Sequence, residues 1–355
     1  MQLRMVKGYI TRLFNPANPI LFCISALSIL LSFSEAQSMV TSGNCSDCHT
    51  MHNSQDGEPT AYQLNSSYSG FEANYFSNEF LLISDCTGCH TSTGNSTIVN
   101  NVPVVFNTGA FNNPLAGGNF NYVRTDDANG HNVTGIKQQD AALGITPPGG
   151  SAMSSQLTCA GEYGCHGNRN AGKNDYTAME GAHHEDDTAG ITGTSAGLSY
   201  RFLKGIHGKE DSNWEQDNTN TSHNEYKGLT ASSSNKESIS YLCAVCHGNF
   251  HTWEGGASEV GTQSPWLRHP TDIELKSTDE YASYTTYSMV APVARPDPGS
   301  VADTTTVTPG TDVIMCLSCH RAHASPYYKM LRWDYKNTDI STALSGCNIC
   351  HTSKN

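Results

Sequence analysis

Basic residues are scarce: the 355-residue chain has 20 Lys and Arg against 33 Asp and Glu, a formal net charge of −13. That balance leaves no positive face for nucleic acid. Only 15% of residues are charged and 37% are hydrophobic, without repeated long apolar runs. A pure coiled coil and a multi-pass membrane protein are thereby excluded. Also missing is any cysteine after position 40 that stands outside a Cys/His cluster. Such a chain has no thiol left over for an ordinary disulfide framework.

One apolar stretch is present, at the start. Arg4, Lys7 and Arg12 precede Ile20, Leu21, Phe22, Ile29, Leu30 and Leu31, and Ser34-Glu35-Ala36 is a small-x-small cleavage site. Residues 1–36 are therefore expected to be an export signal peptide. A retained anchor is the alternative, but Asn15, Pro16, Asn18 and Pro19 interrupt the run and it is short for a span. The bulky Leu21-Phe22 before Cys23 argues against a lipoprotein. Cleavage leaves 17 basic and 32 acidic residues from Gln37 onward, a net charge of −15, and 12 cysteines in an oxidising compartment.

Five segments repeat one pattern: Cys45-Ser46-Asp47-Cys48-His49, Cys86-Thr87-Gly88-Cys89-His90, Cys243-Ala244-Val245-Cys246-His247, Cys316-Leu317-Ser318-Cys319-His320 and Cys347-Asn348-Ile349-Cys350-His351. Each is C-x-x-C-H, the attachment signature of c-type haem. Two thiols three positions apart reach the two vinyl groups of one haem, and the next His turns its imidazole under the iron. Zinc is the competing chemistry, but zinc sites pair distant half-sites, whereas each cluster here carries its own adjacent His. A sixth cluster, Cys159 to Cys165 followed by His166, has five residues between its thiols. It too is expected to hold haem, because Gly161 and Gly164 let the longer loop fold back. A local Cys159–Cys165 disulfide is the alternative. The 12 thiols make six pairs with none left over, so six haem c per chain are expected, with His49, His90, His166, His247, His320 and His351 as proximal iron ligands.

Nine further histidines are available as second axial ligands. Bis-His ligation throughout is possible, and it sets lower potentials than Met/His sites. His52, His251 and His323 follow a proximal His by three or four residues, and His131 and His269 lie in turn-like settings. His183 and His184 are adjacent, so one of the two is expected to point at an iron. The expected distal set is His52, His131, His184, His251, His269 and His323, with His183, His207 and His223 as further candidates. A plain surface histidine is the alternative for His52, His207 and His223. Met51, Met179, Met315 and Met330 are read as packing residues.

With so little chain per haem, the haems must pack against one another and replace much of a conventional core. The expected fold is mostly irregular coil with short helices and few short strands, a single multihaem cytochrome c domain over 37–355 organised around a packed haem chain. Residues 91–150 and 280–312 carry eight prolines and read as loops with short extended pieces. Short helices are expected at the attachment sites and around Tyr327 to Tyr335.

CSDCHTMHN from Cys45, the Gly130-His131-Asn132 turn, CAVCHGNFH from Cys243, LRHP ending at Pro270, CLSCHRAHAS from Cys316 and the closing Cys347–His351 occur in that order. The chain thereby resembles the extracellular multihaem c-type cytochrome filament (nanowire) family, its OmcS-like hexahaem members of metal-reducing bacteria. The resemblance covers about half of the chain. It implies polymerised subunits outside a Gram-negative cell, a continuous stack of bis-His haems, and electron transfer to other cytochromes, metal oxides or partner cells. It also implies that His52 ligates the haem held by Cys316, Cys319 and His320 of the next subunit, and that His131, His251, His269 and His323 are distal ligands within one subunit. Two features depart from the family: the C-x5-C-H site, and residues 167–240 with Gly181-Ala182-His183-His184 and Ser199-Tyr200-Arg201-Phe202, which are closer to smaller tetrahaem filament cytochromes. The expected function is electron carriage without a substrate-converting site. A monomeric periplasmic or surface shuttle, using His52 internally, is the first alternative. A multihaem oxyanion reductase with one open iron is the second.

Overall fold

Gly, Asn, Ser and Thr crowd the segments between the motifs, and these residues favour turns over long ladders. The computed structural model describes residues 43–65, 71–94, 96–109, 115, 117–188, 190–212, 214–215, 219–228, 236–251, 269–299 and 304–353. All of them lie in the unit Val40–Asn355. The expected signal segment, Cys23, Leu267 and Arg268 lie outside the described residues.

The described chain is mostly irregular, with short helices and short strands. The α-helices are α1 (Cys86–Cys89), α2 (Ile239–Ala244), α3 (Ile340–Ala343) and α4 (Cys347–Cys350). Three of these fall on attachment motifs, where Asp85 caps α1 through Gly88 N–H and Ser238 caps α2 through Tyr241 N–H. Further 3₁₀ turns at Cys45–Asp47 and Cys316–Ser318 hold two more motifs, and Tyr328–Met330 falls where a helix was expected. Others, such as Phe120–Arg124 and Ala182–His184, lie away from any attachment motif. The strands pair two by two; Thr91–Ser92 runs parallel to Phe106–Asn107, and Ile273–Glu274 antiparallel to Val313–Ile314. Among the described residues, no helix is long and apolar enough to cross a membrane.

The protein part of the core is divided into small clusters. One joins Tyr200, Leu203, Ile206, Tyr226, Ile239 and Met315; a second gathers Phe106, Phe120, Val123, Val133 and Ile136; a third gathers Leu275, Tyr284, Tyr287, Val293 and Val307. Between the first and third, buried Arg295 donates to Glu225 at 2.5 Å and to Asp312 at 3.2 Å. Burial pushes both carboxyl groups above their ordinary range, and the guanidinium opposes this. The chain thus keeps three small apolar clusters of its own.

Candidate haem attachment and ligation sites

All six clusters close with the same backbone bond. The N–H of His49, His90, His247, His320 and His351 reaches the carbonyl of the first cysteine of its motif at 2.8–3.1 Å. At the sixth cluster His166 N–H donates to Cys159 O at 3.0 Å, despite the three extra residues. The insert is looped out rather than stretched. Gly161 takes φ +85° there, and a Cβ on Gly164 would meet the backbone of Ala160 at 2.5 Å. All 12 described thiols, Cys159 and Cys165 included, are free of disulfides.

Every proximal histidine is oriented through Nδ1. The acceptors are the carbonyls of Phe80 for His49, Pro103 for His90, Arg201 for His166, Pro148 for His247 and Lys329 for His320, at 2.7–2.9 Å. His351 instead donates to the carboxylate of Glu280 at 2.7 Å. A carbonyl acceptor fixes the proton on Nδ1 and leaves Nε2 bare for a metal.

The first, third and fifth sites share one device. Phe80-Leu81, Arg201-Phe202 and Lys329-Met330 are consecutive residues at positive φ, between 49° and 61°. The first carbonyl of each pair takes the imidazole N–H. The second takes the backbone N–H after the histidine, from Thr50 at 2.8 Å, Gly167 at 2.6 Å and Arg321 at 2.8 Å. Left-handed backbone is costly for such side chains, so three paired occurrences mark a functional constraint. Composition and spacing missed these acceptors. The one sequence signal is a faint repeat, Phe80-Leu81-Leu82, Arg201-Phe202-Leu203 and Lys329-Met330-Leu331.

Four proximal rings face a second imidazole. Ring centres are 6.0 Å apart for His49 and His184, 6.3 Å for His166 and His323, 6.2 Å for His131 and His247, and 6.3 Å for His269 and His351. A metal bound by two coaxial imidazoles, at about 2.0–2.1 Å per bond and roughly 1.1 Å from nitrogen to ring centre, separates the rings by about 6.3 Å. The donor set therefore fits an iron with axial imidazoles. Among the described residues, no three His, Cys, Asp or Glu side chains converge on one metal ion, as zinc would need.

Local structure explains the pairings. Ala322–Ser325 is held between two segments, with bridges from Ala324 to Gly118 and Gly130, and His131 N–H donates to His323 O at 3.0 Å. His323 is sent to the third site against the ring of Phe120, at 4.5 Å, while His131 is sent to the fourth. A side chain on Gly117 would strike the His323 ring at 2.7 Å. His183 and His184 share a 3₁₀ turn, in which consecutive side chains diverge by about 120°. His184 faces His49, while burial, and then the nearby His90, lower the pKa of His183 to about 4. Burial also lowers His131 to about 4 and His323 to about 3, so these imidazoles stay neutral.

Three candidates are engaged elsewhere. His251, expected as a distal ligand, is buried and its Nε2 meets the Asp272 carboxylate at 2.9 Å. The ring nitrogens of buried His223 lie 3.0 and 3.2 Å from the carbonyls of Asn224 and Thr304, and its face stacks on Tyr287 at 3.8 Å. His207 is pressed on Gly193, where an added Cβ would lie 2.3 Å from Nε2. Among the described residues, exposed His52 and the proximal His90 and His320 make no ring contact with another imidazole.

Thiol proximity orders the sites. Cys89 is raised to about 11 by burial and then by Cys48, Cys165 to about 11 by burial and then by Cys246, and Cys319 to about 12 by burial and then by Cys350. The Cys86 thiol helps to raise the pKa of Cys159, and the Cys316 thiol that of Cys243, so each pair lies close together. Neighbours in sequence are therefore neighbours in space, from the first site to the sixth.

Residues 309–355 match the doubled CXXCH motif family. The last two attachment motifs lie inside that match, and CXXCH motifs attach haem c covalently. No curated protein matches the chain. Two solved structures are similar to it at 18% identity, each over 89% of this chain and 100% of the other: the outer membrane cytochrome S filament of Geobacter sulfurreducens, with a TM-score of 0.49, and the OmcS nanowires of the same organism by cryo-EM, with a TM-score of 0.47.

Proposed function

We propose that this chain is a hexahaem c-type cytochrome that carries electrons along a row of bis-histidine sites and polymerises into an extracellular filament. The observation that supports it most is the arithmetic of the imidazoles. Four proximal rings face a partner at 6.0–6.3 Å; assigning buried His183, whose pKa His90 helps to lower, to the second site leaves His320 as the proximal histidine without a distal one. Exposed His52 is the spare ligand. A second copy that inserts its His52 opposite His320 completes the sixth pair and joins two chains.

Haem c, when bound, supplies a one-electron ferric/ferrous couple, at low potential with two histidine ligands. The protein's part is to hold twelve thiols and the facing imidazoles in order, to keep buried His131 and His323 neutral, and to bring successive sites side by side. Acceptors would be metal oxides, partner cells or other cytochromes, reached after export and removal of residues 1–36. No residue in this reading converts a substrate.

The unpaired His320 also fits a reductase with an open iron position, and the two readings part on one variant. His52→Ala is expected to retain six covalent haems by mass and to lose filaments in electron micrographs, with a high-spin ferric signal appearing at one haem. Intact filaments from the variant sink the intermolecular-ligand reading. A high-spin haem already present in assembled wild-type material favours the reductase.

A further inference from the structure

Five of the proximal histidines donate Nδ1–H to a neutral backbone carbonyl, and the sixth donates to a charged side chain. Glu280 is held for this task. Its side chain is only 10% exposed, its Oε1 lies 2.7 Å from His351 Nδ1, and its backbone carbonyl accepts from Thr352 N–H at 3.3 Å and from the Thr352 hydroxyl. The residues just after α4, His351 and Thr352, are thereby clamped to the segment carrying Glu280. Tyr281, the next residue, sets its ring 5.1 Å from that of His351. The site differs in a second respect: the planes of His269 and His351 cross at 88°, whereas those of His49 and His184 differ by 20°.

A carboxylate that accepts the N–H of a metal-bound histidine draws the proton toward itself and makes the ring a stronger electron donor. A stronger donor stabilises the ferric ion over the ferrous one. A backbone carbonyl polarises the ring less, because it carries a partial charge only. We propose that Glu280 is a redox-positioning residue that holds the sixth haem at a lower reduction potential than its five neighbours, building an energetic step into the end of the row. This rests on the bis-histidine reading of the His269–His351 site. The step concerned is transfer of one electron between the fifth and sixth haems: one iron passes from ferrous to ferric, the other from ferric to ferrous, and no bond to iron or proton changes hands. Glu280 acts on how far that exchange runs, not on its path.

The test is a reductive titration of full-length, haem-loaded protein, followed by visible absorption and by electron paramagnetic resonance. Crossed and near-parallel imidazole planes give different low-spin ferric signals, so the sixth haem can be told from the first. In the unmodified protein the crossed-plane signal is expected to be the last lost on reduction. In Glu280→Gln, which keeps size and an acceptor oxygen, one component of six is expected to shift to more positive potential while five stay fixed. Glu280→Asp, with the charge restored on a shorter arm, is expected to move it part of the way back. A Glu280→Gln titration that superimposes on wild type, or early loss of the crossed-plane signal in the unmodified protein, overturns the proposal. Failure of the bis-histidine reading would look different: no crossed-plane low-spin signal would be present in the unmodified protein at any potential.

Discussion

Gly167 tests how tightly the third site is built. It follows His166, donates its N–H to Phe202 O at 2.6 Å, and adopts φ +67°. In Gly167→Ala, the left-handed conformation alone costs about 1–2 kcal/mol. The new Cβ would also lie 2.4 Å from the carbonyl oxygen of Ala178 and 2.6 Å from its carbon. That obstacle is backbone, so it cannot swing aside as a side-chain tip would, and overpacking of this kind adds about 1–3 kcal/mol. Gly172→Ala is the control: φ is +81° and nothing lies within 4 Å of the added Cβ, so only the conformational cost applies. Denaturant unfolding of the haem-loaded variants should separate the two by about 1–3 kcal/mol. The displaced Gly167 must also drag the Arg201-Phe202 pair that orients His166, so one low-spin signal should change in Gly167→Ala and none in Gly172→Ala. Equal stabilities and unchanged spectra for both would refute the claim that the Ala178 contact and the left-handed pair fix this ligand.

Glu180 anchors the turn that carries His183 and His184, through Lys204 at 2.8 Å, Lys173 at 3.4 Å and Asn168 at 2.6 Å, and these partners lower its pKa to about 2. A lowered carboxyl pKa contributes stability above its unfolded value, lost as pH falls toward the folded one. Glu180→Gln should therefore be less stable at neutral pH, by less than about 1 kcal/mol for so exposed a pair, and the difference should vanish by about pH 2; a gap that widens in acid would contradict this. His251→Ala should leave every haem low-spin yet cost about 1–3 kcal/mol on unfolding, because buried Asp272 keeps the Ser238 hydroxyl but loses the imidazole; a new high-spin haem would return His251 to the ligands. Cys159→Ser should remove one thioether and leave His166 in place, visible as a haem still held through Cys165 but with one vinyl group unreacted in a peptide map of the third site. If no attachment is lost, Cys159 is not a haem thiol.

The periodic chemistry was legible in the chain itself. C-x-x-C-H depends on residues three to four positions apart, so the attachment thiols and proximal histidines can be read without a fold, and the irregular architecture follows from turn-forming composition. The looping of the C-x5-C-H insert was legible too, because two glycines announced it; the bond from His166 N–H to Cys159 O is the form that loop takes. The distal ligands were not. Which imidazole faces which depends on contacts such as His131 with His247, 116 positions apart in sequence, and no spacing rule encodes those. His251 looked as good as His323 by position, since each follows a proximal histidine by three or four residues, and only the buried carboxylate of Asp272 separates them. His183 and His184 looked redundant until a 3₁₀ turn sent them in different directions. The carbonyls and the one carboxylate that orient the proximal rings are equally tertiary: a backbone oxygen has no signature in sequence, and Glu280 lies 71 residues from His351. Sequence determined what is bound and where it is stapled, because covalent attachment is local; the tertiary structure decided which rings meet and how each is held, because ligation across a haem joins segments that only folding brings together.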